Sequence, residues 1–303
     1  MTGNKVTLYF AGGTMTGVFG AGVASAFEDN DIYPHLDAIY AASAGALSGA
    51  YLLSHQTKLG SSIYWENLQE NFISFKNFFV GVWQRFEDEF IKRVPQEKLK
   101  DAYNIDHLIS VIKKEKKLDI QKIISQQIPL YIKLYNLDSH QIEYMGVKKG
   151  NLYEIFKAAM NAFPYIHEIS CFDGKEYIDA AIIDIIGLDK LLKLIPNGQI
   201  IVILNSPEER KLRYRWKNMI EGKFMKWMFN KPEFYELFAK TEDRLKIDIE
   251  KIKNNSRIHL IAAPKNMKVC SRTTGPRELK KAWQIGYKEG EKIMKKLKLT
   301  KRD

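Results

Sequence analysis

The serine at position 43 stands in a setting that could make its hydroxyl group reactive. It lies in the stretch YAASAGALSGAYLLS, residues 40–54, where a strand-like apolar run is followed by an apolar helix pattern. A serine is a weak nucleophile until a turn presents it, a base takes its proton and hydrogen-bond donors stabilise the oxyanion. A strand-to-helix turn of this kind needs small residues two positions before and after the serine, and Ala41 and Gly45 are small. The alternative is that Ser43 is an unreactive hydroxyl in a tightly packed core.

A glycine-rich turn precedes Ser43 and could supply the hydrogen-bond donors. The stretch AGGTMTG, residues 11–17, lies between the first predicted strand and the first predicted helix. Gly12 and Gly13 allow backbone angles at which successive N–H groups converge on one anion, either a phosphate or an acyl oxyanion. The glycine spacing differs from that of the dinucleotide-binding fingerprint, and the lysine of a phosphate-binding loop is missing. The turn therefore favours an oxyanion hole over a nucleotide site.

Three side chains are candidates for the base. Asp179 ends the strand pattern KEYID and is followed by two alanines, so the backbone could approach it closely. His259 lies in an apolar strand pattern and would complete the order Ser, Asp, His of the usual hydrolase triad, whereas His167 lies in a loop. Both histidines fit a structural role better, so Asp179 is the stronger candidate. An aspartate with an ordinary pKa of about 3.9 is a poor base, so Asp179 must be shielded from water and hydrogen-bonded to Ser43.

The elements around these residues predict a parallel sheet covered by helices. Strand, turn and helix follow one another twice near the start of the chain, and continuously apolar strands are typical of buried parallel sheets. An apolar stripe on the helix from Glu278 onward is expected to dock that helix on the body of the protein. The predicted strands cover residues 5–10, 36–42, two parts of 128–145, 175–183, 198–205 and 256–264, and the predicted helices include 17–30, 44–56 and 151–163.

The order of these motifs resembles the patatin-like phospholipase family. GGTMTG at 12–17 matches the glycine-rich oxyanion loop of that family, and ASAG at 42–45 matches its nucleophile elbow. DAA at 179–181 matches its Asp-Gly-Gly or Asp-Gly-Ala element. AAMNAFP at 158–164 matches the run of small residues that leads to a proline before that element. The resemblance covers roughly residues 5–206 and, more loosely, the tail, which is similar to that of one bacterial branch of the family.

The resemblance implies a fold and a set of site residues. The expected fold is a three-layer α/β/α arrangement of the patatin type with a mostly parallel central sheet. Ser43 is implied as the nucleophile and Asp179 as its base, because members of the family use a Ser-Asp dyad. The N–H groups of Gly12, Gly13 and Thr14 are implied as the oxyanion hole. Such a site needs no histidine, no metal and no other cofactor.

The sequence departs from the family pattern at three positions. Thr16 stands where the loop usually has an arginine, Ala41 replaces the first glycine of the elbow, and Ala180 replaces the glycine after the aspartate. Alanine can replace glycine only where φ is negative, so a working dyad requires negative φ at Ala41 and Ala180. The loss of the arginine is expected to weaken the ordering of the loop or the placement of the substrate.

The positive charge of the chain is concentrated in its last third. Residues 1–206 carry 20 Lys and Arg against 23 Asp and Glu, whereas residues 207–303 carry 27 against 13. We therefore predict a catalytic core over 1–206 and a basic, largely helical C-terminal extension over 207–303 that packs on the same unit. The charge suggests either a solvated lysine surface or an anionic partner, which is a membrane or a nucleic acid. Residues 210–231 mix Lys and Arg with Trp, Phe and Met, which favours an anionic membrane surface, and no nucleic-acid-binding module accompanies them.

The cysteines and the uncharged stretches indicate in which cellular compartment the protein is expected. Cys171 and Cys270 indicate neither a disulfide framework nor a cysteine metal cluster, which suits a reducing compartment. The stretches 6–27 and 38–54 are predicted to be buried core. The first is too interrupted by glycines and threonines for a signal peptide, and the second is short for a membrane span. We expect a cytoplasmic protein that attaches peripherally to membranes.

The resemblance implies a soluble lipid acyl hydrolase of phospholipase A or lysophospholipase type that acts on phospholipid or lysophospholipid, and the basic-aromatic segment favours action at a membrane surface. An acyl thioesterase or acyltransferase that uses carrier-bound acyl chains is the enzymatic alternative. A catalytically inactive patatin-like protein that binds membranes or a partner is the alternative from another class.

Overall fold

An eight-stranded sheet lies at the centre of the molecule, with helices on both of its faces. The computed structural model describes residues 5–74, 101–148, 150–162, 165–166, 169–210, 212–229 and 232–299. Within these residues the strands are β1 (Val6–Phe10), β2 (Leu36–Ala41), β3 (Leu130–Asn136), β4 (Gln141–Gly146), β5 (Ser170–Phe172), β6 (Lys175–Asp179), β7 (Gln199–Leu204) and β8 (Ile258–Ala262). The helices are α1 (Gly17–Asp29), α2 (Ala44–Leu53), α3 (Thr57–Glu66), α4 (Ile105–Ser110), α5 (Ile120–Ser125), α6 (Leu152–Ala159), α7 (Leu188–Leu194), α8 (Leu212–Phe229), α9 (Glu233–Ala239), α10 (Thr241–Lys253) and α11 (Pro276–Leu297).

The central sheet is mostly parallel. Its strand order is β5-β6-β3-β2-β1-β7-β8, and β4 also pairs with β3. Strands β1, β2, β3, β7 and β8 run parallel to one another, whereas β4 and β6 run antiparallel to β3, and β5 runs antiparallel to β6. The predicted α/β fold with a mostly parallel sheet between helical layers is therefore confirmed.

Alternate residues of the central strands pack against helices on opposite faces, because successive side chains of a strand point in opposite directions. In β7, Ile201 and Ile203 belong to the core on one face, whereas Ile200 and Val202 belong to the core on the other. Helices α1, α2 and α11 close the first core, and α7 and α10 close the second. The uncharged stretches of the sequence form β1–α1 and β2–α2 inside these cores, as predicted.

Two elements end earlier than the sequence pattern predicts. The strand predicted over 175–183 ends at Asp179 and continues as a 3-10 turn, Ala180–Ile182. The helix predicted over 151–163 ends at Ala159, and residues 163 and 164 lie outside the described residues. Helix α3 and strand β5 have no clear sequence signal, because α3 carries a glycine and serines within its length and β5 has three residues.

The residues after 206 contribute both to the sheet and to its helical layers. Strand β8 pairs in parallel with β7, and helices α8 and α9 pack on the end of β3 and β6. None of the helices in the described part of the chain combines the length and the apolar composition that a membrane crossing requires. Helices α8 and α9 pack against β3 and β6 through the apolar side chains of Met225, Phe234 and Phe238.

Glycine residues allow α11 to lie directly on α1. A Cβ atom at Gly286 would overlap the carbonyl oxygen of Phe19, and one at Gly22 would overlap the carbonyl oxygen of Trp283. The indole N–H of Trp283 donates to Oγ of Ser61 at 3.0 Å, which ties the same contact to α3. The predicted docking of this amphipathic helix on the body of the protein is confirmed, and its glycines set how closely it approaches.

Gly286→Ala is expected to destabilise the protein by about 1–3 kcal/mol or more, because the added methyl group forces α11 away from α1. Gly150→Ala is the matched control, since a Cβ atom there meets nothing within 4 Å. Urea unfolding followed by circular dichroism measures both variants. An unchanged free energy of unfolding for Gly286→Ala would contradict direct contact between the two helices.

Candidate active site

Strand β3 brings Ser43 and Asp179 together. Strand β4 pairs along most of one edge of β3, so β2 and β6 must both pair with the opposite edge. Strand β2 ends with Ala41 opposite Ile132, and β6, which runs the other way, ends with Asp179 opposite Leu134. The two strands meet end to end, and the residue that closes β6 therefore lies beside the turn that follows β2.

Ser43 occupies a strained turn between β2 and α2. Its φ of 51° and ψ of −130° lie outside the regions that L-amino acids prefer. The turn is tight, because α2 begins at the next residue and a Cβ atom at Gly45 would overlap the carbonyl oxygen of Phe10. Such strain costs about 1–3 kcal/mol and persists where the surrounding structure enforces it, often at active sites. The turn also places the hydroxyl at the positive end of α2, which favours developing negative charge.

The glycine-rich turn between β1 and α1 lies against Ser43. A Cβ atom at Gly12 would lie 2.9 Å from Cβ of Ser43 and 3.6 Å from its Oγ, so a side chain there would collide with the serine. Thr14 has a φ of 50°, which is rare for a β-branched residue. The hydrogen bonds among the described residues use none of the backbone N–H groups of Gly12, Gly13 and Thr14. These amides are therefore available to bind an anion beside Ser43.

Asn205, at the end of β7, holds the glycine-rich turn in place, although no sequence motif points to it. Its Nδ2 donates to the carbonyl oxygen of Ala11 at 2.7 Å, and its Oδ1 accepts from the N–H of Gly20 at 2.8 Å. The side chain is buried and so links β1, α1 and β7. The available signal is its place directly after a strand, since the carboxyl ends of parallel strands gather at one edge of the sheet.

The Asp179 carboxyl group is removed from water. It is 2% exposed, and this burial raises its pKa from 3.8 to about 6. Three weaker effects lower the pKa: the hydrogen bond from the N–H of Ala181 at 2.8 Å, the hydrogen bond with the Ser43 hydroxyl, and the positive charge of Lys133. The carboxyl group thus contacts the serine and titrates closer to neutral pH than an ordinary aspartate, which suits a base.

The three departures from the motif leave the local geometry intact. Neither Ala41 nor Ala180 is among the residues of the described chain that have positive φ, so both meet the requirement for replacing glycine. The hydroxyl of Thr16 donates to the carbonyl oxygen of Gly13 at 2.7 Å. This bond orders the loop from within, although the arginine of the motif is missing.

Ser43 and Asp179 open onto a cleft of about 170 Å³ that is also lined by Gly12, Gly13 and Thr14. Within the described residues, the lining of the cleft contains no histidine. His259 lies in β8, outside the cleft, and burial lowers its pKa, whereas His167 lies outside the described residues. Helix α8 also lines the cleft, through Tyr214, Lys217, Asn218 and Glu221.

Comparison with known protein families gives a match to patatin-like phospholipase over residues 8–192. The matched stretch is more than half of the chain, and it contains Ser43, Asp179 and the glycine-rich turn. The chain belongs to the patatin-like phospholipase family. The expected family is therefore confirmed, and with it the general expectation of a lipid acyl hydrolase.

The other comparisons add little to the patatin-like assignment. The chain is similar to the crystal structure of VipD from Legionella pneumophila, with 13% sequence identity and a TM-score of 0.48. The similarity covers 97% of this chain and 67% of VipD. A likeness at this level carries no weight beside the family match. No curated protein matches the chain.

Asp179→Asn is expected to stabilise the protein above about pH 6. Because burial raises the pKa of this carboxyl group, the folded protein binds the proton more tightly than the unfolded chain does. Ionisation therefore lowers the free energy of unfolding as the pH rises from 3.8 to about 6, by up to about 3 kcal/mol. Asparagine removes the charge, so the variant should be more stable than the wild type near pH 8 and similarly stable near pH 3.

Urea unfolding at both pH values measures this difference. Asp37→Asn is the matched control, because Asp37 is an exposed carboxylate on β2. If Asp179→Asn and the wild type unfold with the same free energy near pH 8, the carboxylate is not desolvated as described.

Proposed function

We propose that this chain is a serine lipid acyl hydrolase of phospholipase A or lysophospholipase type, with Ser43 as the nucleophile and Asp179 as its base. One observation carries the proposal: a buried carboxyl group contacts the hydroxyl of a serine that is held on a strained turn. The family supports lipid acyl hydrolysis in general, and the proposal assigns that chemistry to these two residues.

The proposed reaction has two halves. Oγ of Ser43 attacks the carbonyl carbon of the acyl ester while the Asp179 carboxylate accepts the hydroxyl proton. The tetrahedral intermediate then collapses, the alcohol leaves with the proton from Asp179, and the acyl group stays on Ser43 as an ester. Water attacks this ester and gives its proton to Asp179. The fatty acid is released when the proton returns to Oγ of Ser43.

The N–H groups of Gly12, Gly13 and Thr14 are the proposed oxyanion hole for both halves. The turn that carries them touches Ser43, and they have no partner among the described residues. Even at a pKa of about 6, an aspartate is a weak base for a serine hydroxyl. Stabilisation of the oxyanion must therefore supply much of the catalysis, and a single donor of this kind is typically worth about 10²–10³ in rate.

We further propose that α8 attaches the protein to an anionic membrane surface. Trp216 and Ile220 lie one turn apart on α8 and are 66% and 67% exposed, and Lys223 and Lys226 of the same helix are exposed as well. Aromatic and aliphatic side chains suit the lipid interface, and lysines suit anionic head groups. The same helix lines the cleft, so docking of α8 would bring the mouth of the cleft to the lipid.

The proposed organisation is a catalytic core over residues 1–206 with a basic extension over 207–303 packed on the same unit. The pairing of β8 with β7 and the seat of α11 on α1 support this organisation. Neither Cys171 nor Cys270 forms a disulfide in the described part of the chain, in keeping with the proposed cytoplasmic location. No nucleic-acid partner is proposed, because the basic residues of α8 accompany exposed apolar side chains next to the cleft.

Labelling with a fluorophosphonate probe, followed by peptide mapping, tests the nucleophile. The wild type should be modified at Ser43, and Ser43→Ala should lose both the label and hydrolysis of a chromogenic fatty ester, by at least about 10³-fold. Asp179→Asn should lose hydrolysis to a similar degree. Ser48→Ala is the matched control, because Ser48 is a buried serine on α2, the helix that follows Ser43, and it does not line the cleft.

Three results would contradict parts of the proposal. An absence of label and turnover in the wild type would favour a binding protein without catalytic activity. Normal turnover by Asp179→Asn would exclude the dyad. Faster turnover of acyl thioesters than of phospholipid vesicles would favour the thioesterase or acyltransferase, which forms the same acyl-enzyme from a different substrate.

The double variant Trp216→Ala, Ile220→Ala is expected to bind vesicles that contain phosphatidylglycerol at least about tenfold more weakly than the wild type, because it buries less apolar surface in the lipid. Cosedimentation with vesicles measures the binding. Ile247→Ala is the matched control, since Ile247 is 49% exposed on α10. Equal binding by the double variant and the wild type would exclude α8 as the membrane contact.

A further inference from the structure

The turn that follows Asp179 is held by side chains from other parts of the fold. The carbonyl oxygens of residues 183–186 each accept a hydrogen bond from such a side chain, at 2.6–3.1 Å. Asp248 of α10 completes the set by accepting from the N–H groups of Gly187 and Leu188. The donors are the Thr241 hydroxyl and the Arg244 guanidinium group for Ile183, the Lys133 ammonium group for Asp184 and Ile186, and the Tyr9 hydroxyl for Ile185.

Lys133 makes two of these bonds from a fully buried position. Its side chain is 0% exposed, and it stands on β3 next to Leu134, the residue that pairs with Asp179. Its Nζ also lies 3.8 Å from Oδ1 of Asp184. A buried ammonium ion is costly, and an apolar side chain of similar volume is often equally stabilising in such a place. Packing alone therefore does not account for a lysine at this position.

The carboxyl groups around Lys133 favour its charged form, but burial outweighs them and the pKa of Lys133 is lowered on balance. Burial lowers the pKa of Lys133, the carboxyl groups of Asp184, Asp248 and Asp179 raise it, and the guanidinium group of Arg244 lowers it. The remaining neighbour is the ring of Tyr9, 5.9 Å from Nζ, whose hydroxyl is held neutral because burial raises its pKa well above the usual value. Three carboxyl groups thus face two cations in a largely buried site.

We propose that Lys133 is a positioning residue for the reaction: its ammonium ion fixes the turn at residues 184–186 and sets the electrostatic potential at Asp179. The inference rests on the proposed function, in which Asp179 is the base. Without the ammonium ion, the carbonyl oxygens of Asp184 and Ile186 lose their Lys133 donor, and the turn that follows Asp179 is free to shift. Asp179 also loses the positive charge that opposes the effect of its burial.

The direction of the electrostatic effect follows from the contacts of Asp179. Burial raises the pKa of Asp179, and the charge of Lys133 lowers it. Removal of that charge therefore raises the pKa further, and the carboxyl group stays protonated, and inactive as a base, up to a higher pH. A residue that served packing alone would not change this titration.

The pH dependence of kcat/KM on a soluble fatty ester tests the inference. Lys133→Met should move the acidic limb to higher pH by about 0.5–1 unit and lower kcat on the alkaline plateau roughly tenfold. Lys190→Met is the matched control, because Lys190 also donates to a backbone carbonyl, that of Ile142, and does not act on the pKa of Asp179. A lower kcat with the limb in its wild-type position would overturn the proposal.

A second measurement does not depend on catalysis and so separates this inference from the proposed function. Near pH 8, Asp179→Asn should stabilise Lys133→Met more than it stabilises the wild type, because the carboxylate of the variant has lost its nearby positive charge. Urea unfolding of the wild type, both single variants and the double variant gives this coupling. If Asp179→Asn stabilises the wild type and Lys133→Met by the same amount, the proposed role of Lys133 is overturned. Coupling in a protein without hydrolytic activity would overturn the proposed function alone.

Lys133→Gln covers the case in which Lys133→Met does not fold. Glutamine keeps a hydrogen-bond donor for the carbonyl oxygens of Asp184 and Ile186 but carries no charge. It should show the same shift of the acidic limb with a smaller loss of kcat. If neither variant folds, Lys133 serves the fold itself and the proposal is overturned.

Discussion

Two strands that run in opposite directions share one edge of β3, and the rest of the site depends on this arrangement. Strand β2 stops opposite Ile132, and β6 stops opposite Leu134, so the ends of the two strands face each other. Ser43 follows the first strand and Asp179 closes the second. Two residues far apart in the sequence therefore meet on regular elements, and no long loop has to carry either of them. Rigid support of this kind is what a reaction between fixed groups requires.

Each of the two strand ends also carries a feature that lowers the stability of the folded protein. The serine keeps an unfavourable backbone conformation, and the aspartate keeps a carboxyl group away from water. Neither feature would survive in a loosely packed region, because each could relax by a small shift of its turn. The glycine-rich turn, Asn205 and the polar side chains behind residues 183–188 prevent that shift. The buried polar side chains of Asn205, Lys133, Thr241 and Asp248 thus serve to hold two short turns.

The local part of the site could be predicted from the sequence, and the tertiary part could not. The turns at Gly12 and Ser43 are visible because small residues at fixed spacing separate a strand pattern from a helix pattern. Asn205 binds Gly20 across 185 positions, and Lys133 binds carbonyl groups 51 and 53 positions away, so no local pattern reveals either residue. The antiparallel direction of β6 could not be predicted either, because the local sequence of a strand does not indicate which other strand it pairs with. The boundary at residue 206 and the catalytic roles of the site residues stay predictions.

The packing of α11 on α1 has a consequence for folding during translation. Trp283 donates to the hydroxyl of Ser25 across 258 positions, and α1 begins where the glycine-rich turn ends. The residues that hold the turn after Asp179, including Thr241 and Asp248, also come late in the chain. A polypeptide still emerging from the ribosome lacks these supports and leaves one side of α1 uncovered. The turns that carry Ser43 and Asp179 therefore gain all of their supports only after translation has passed α11.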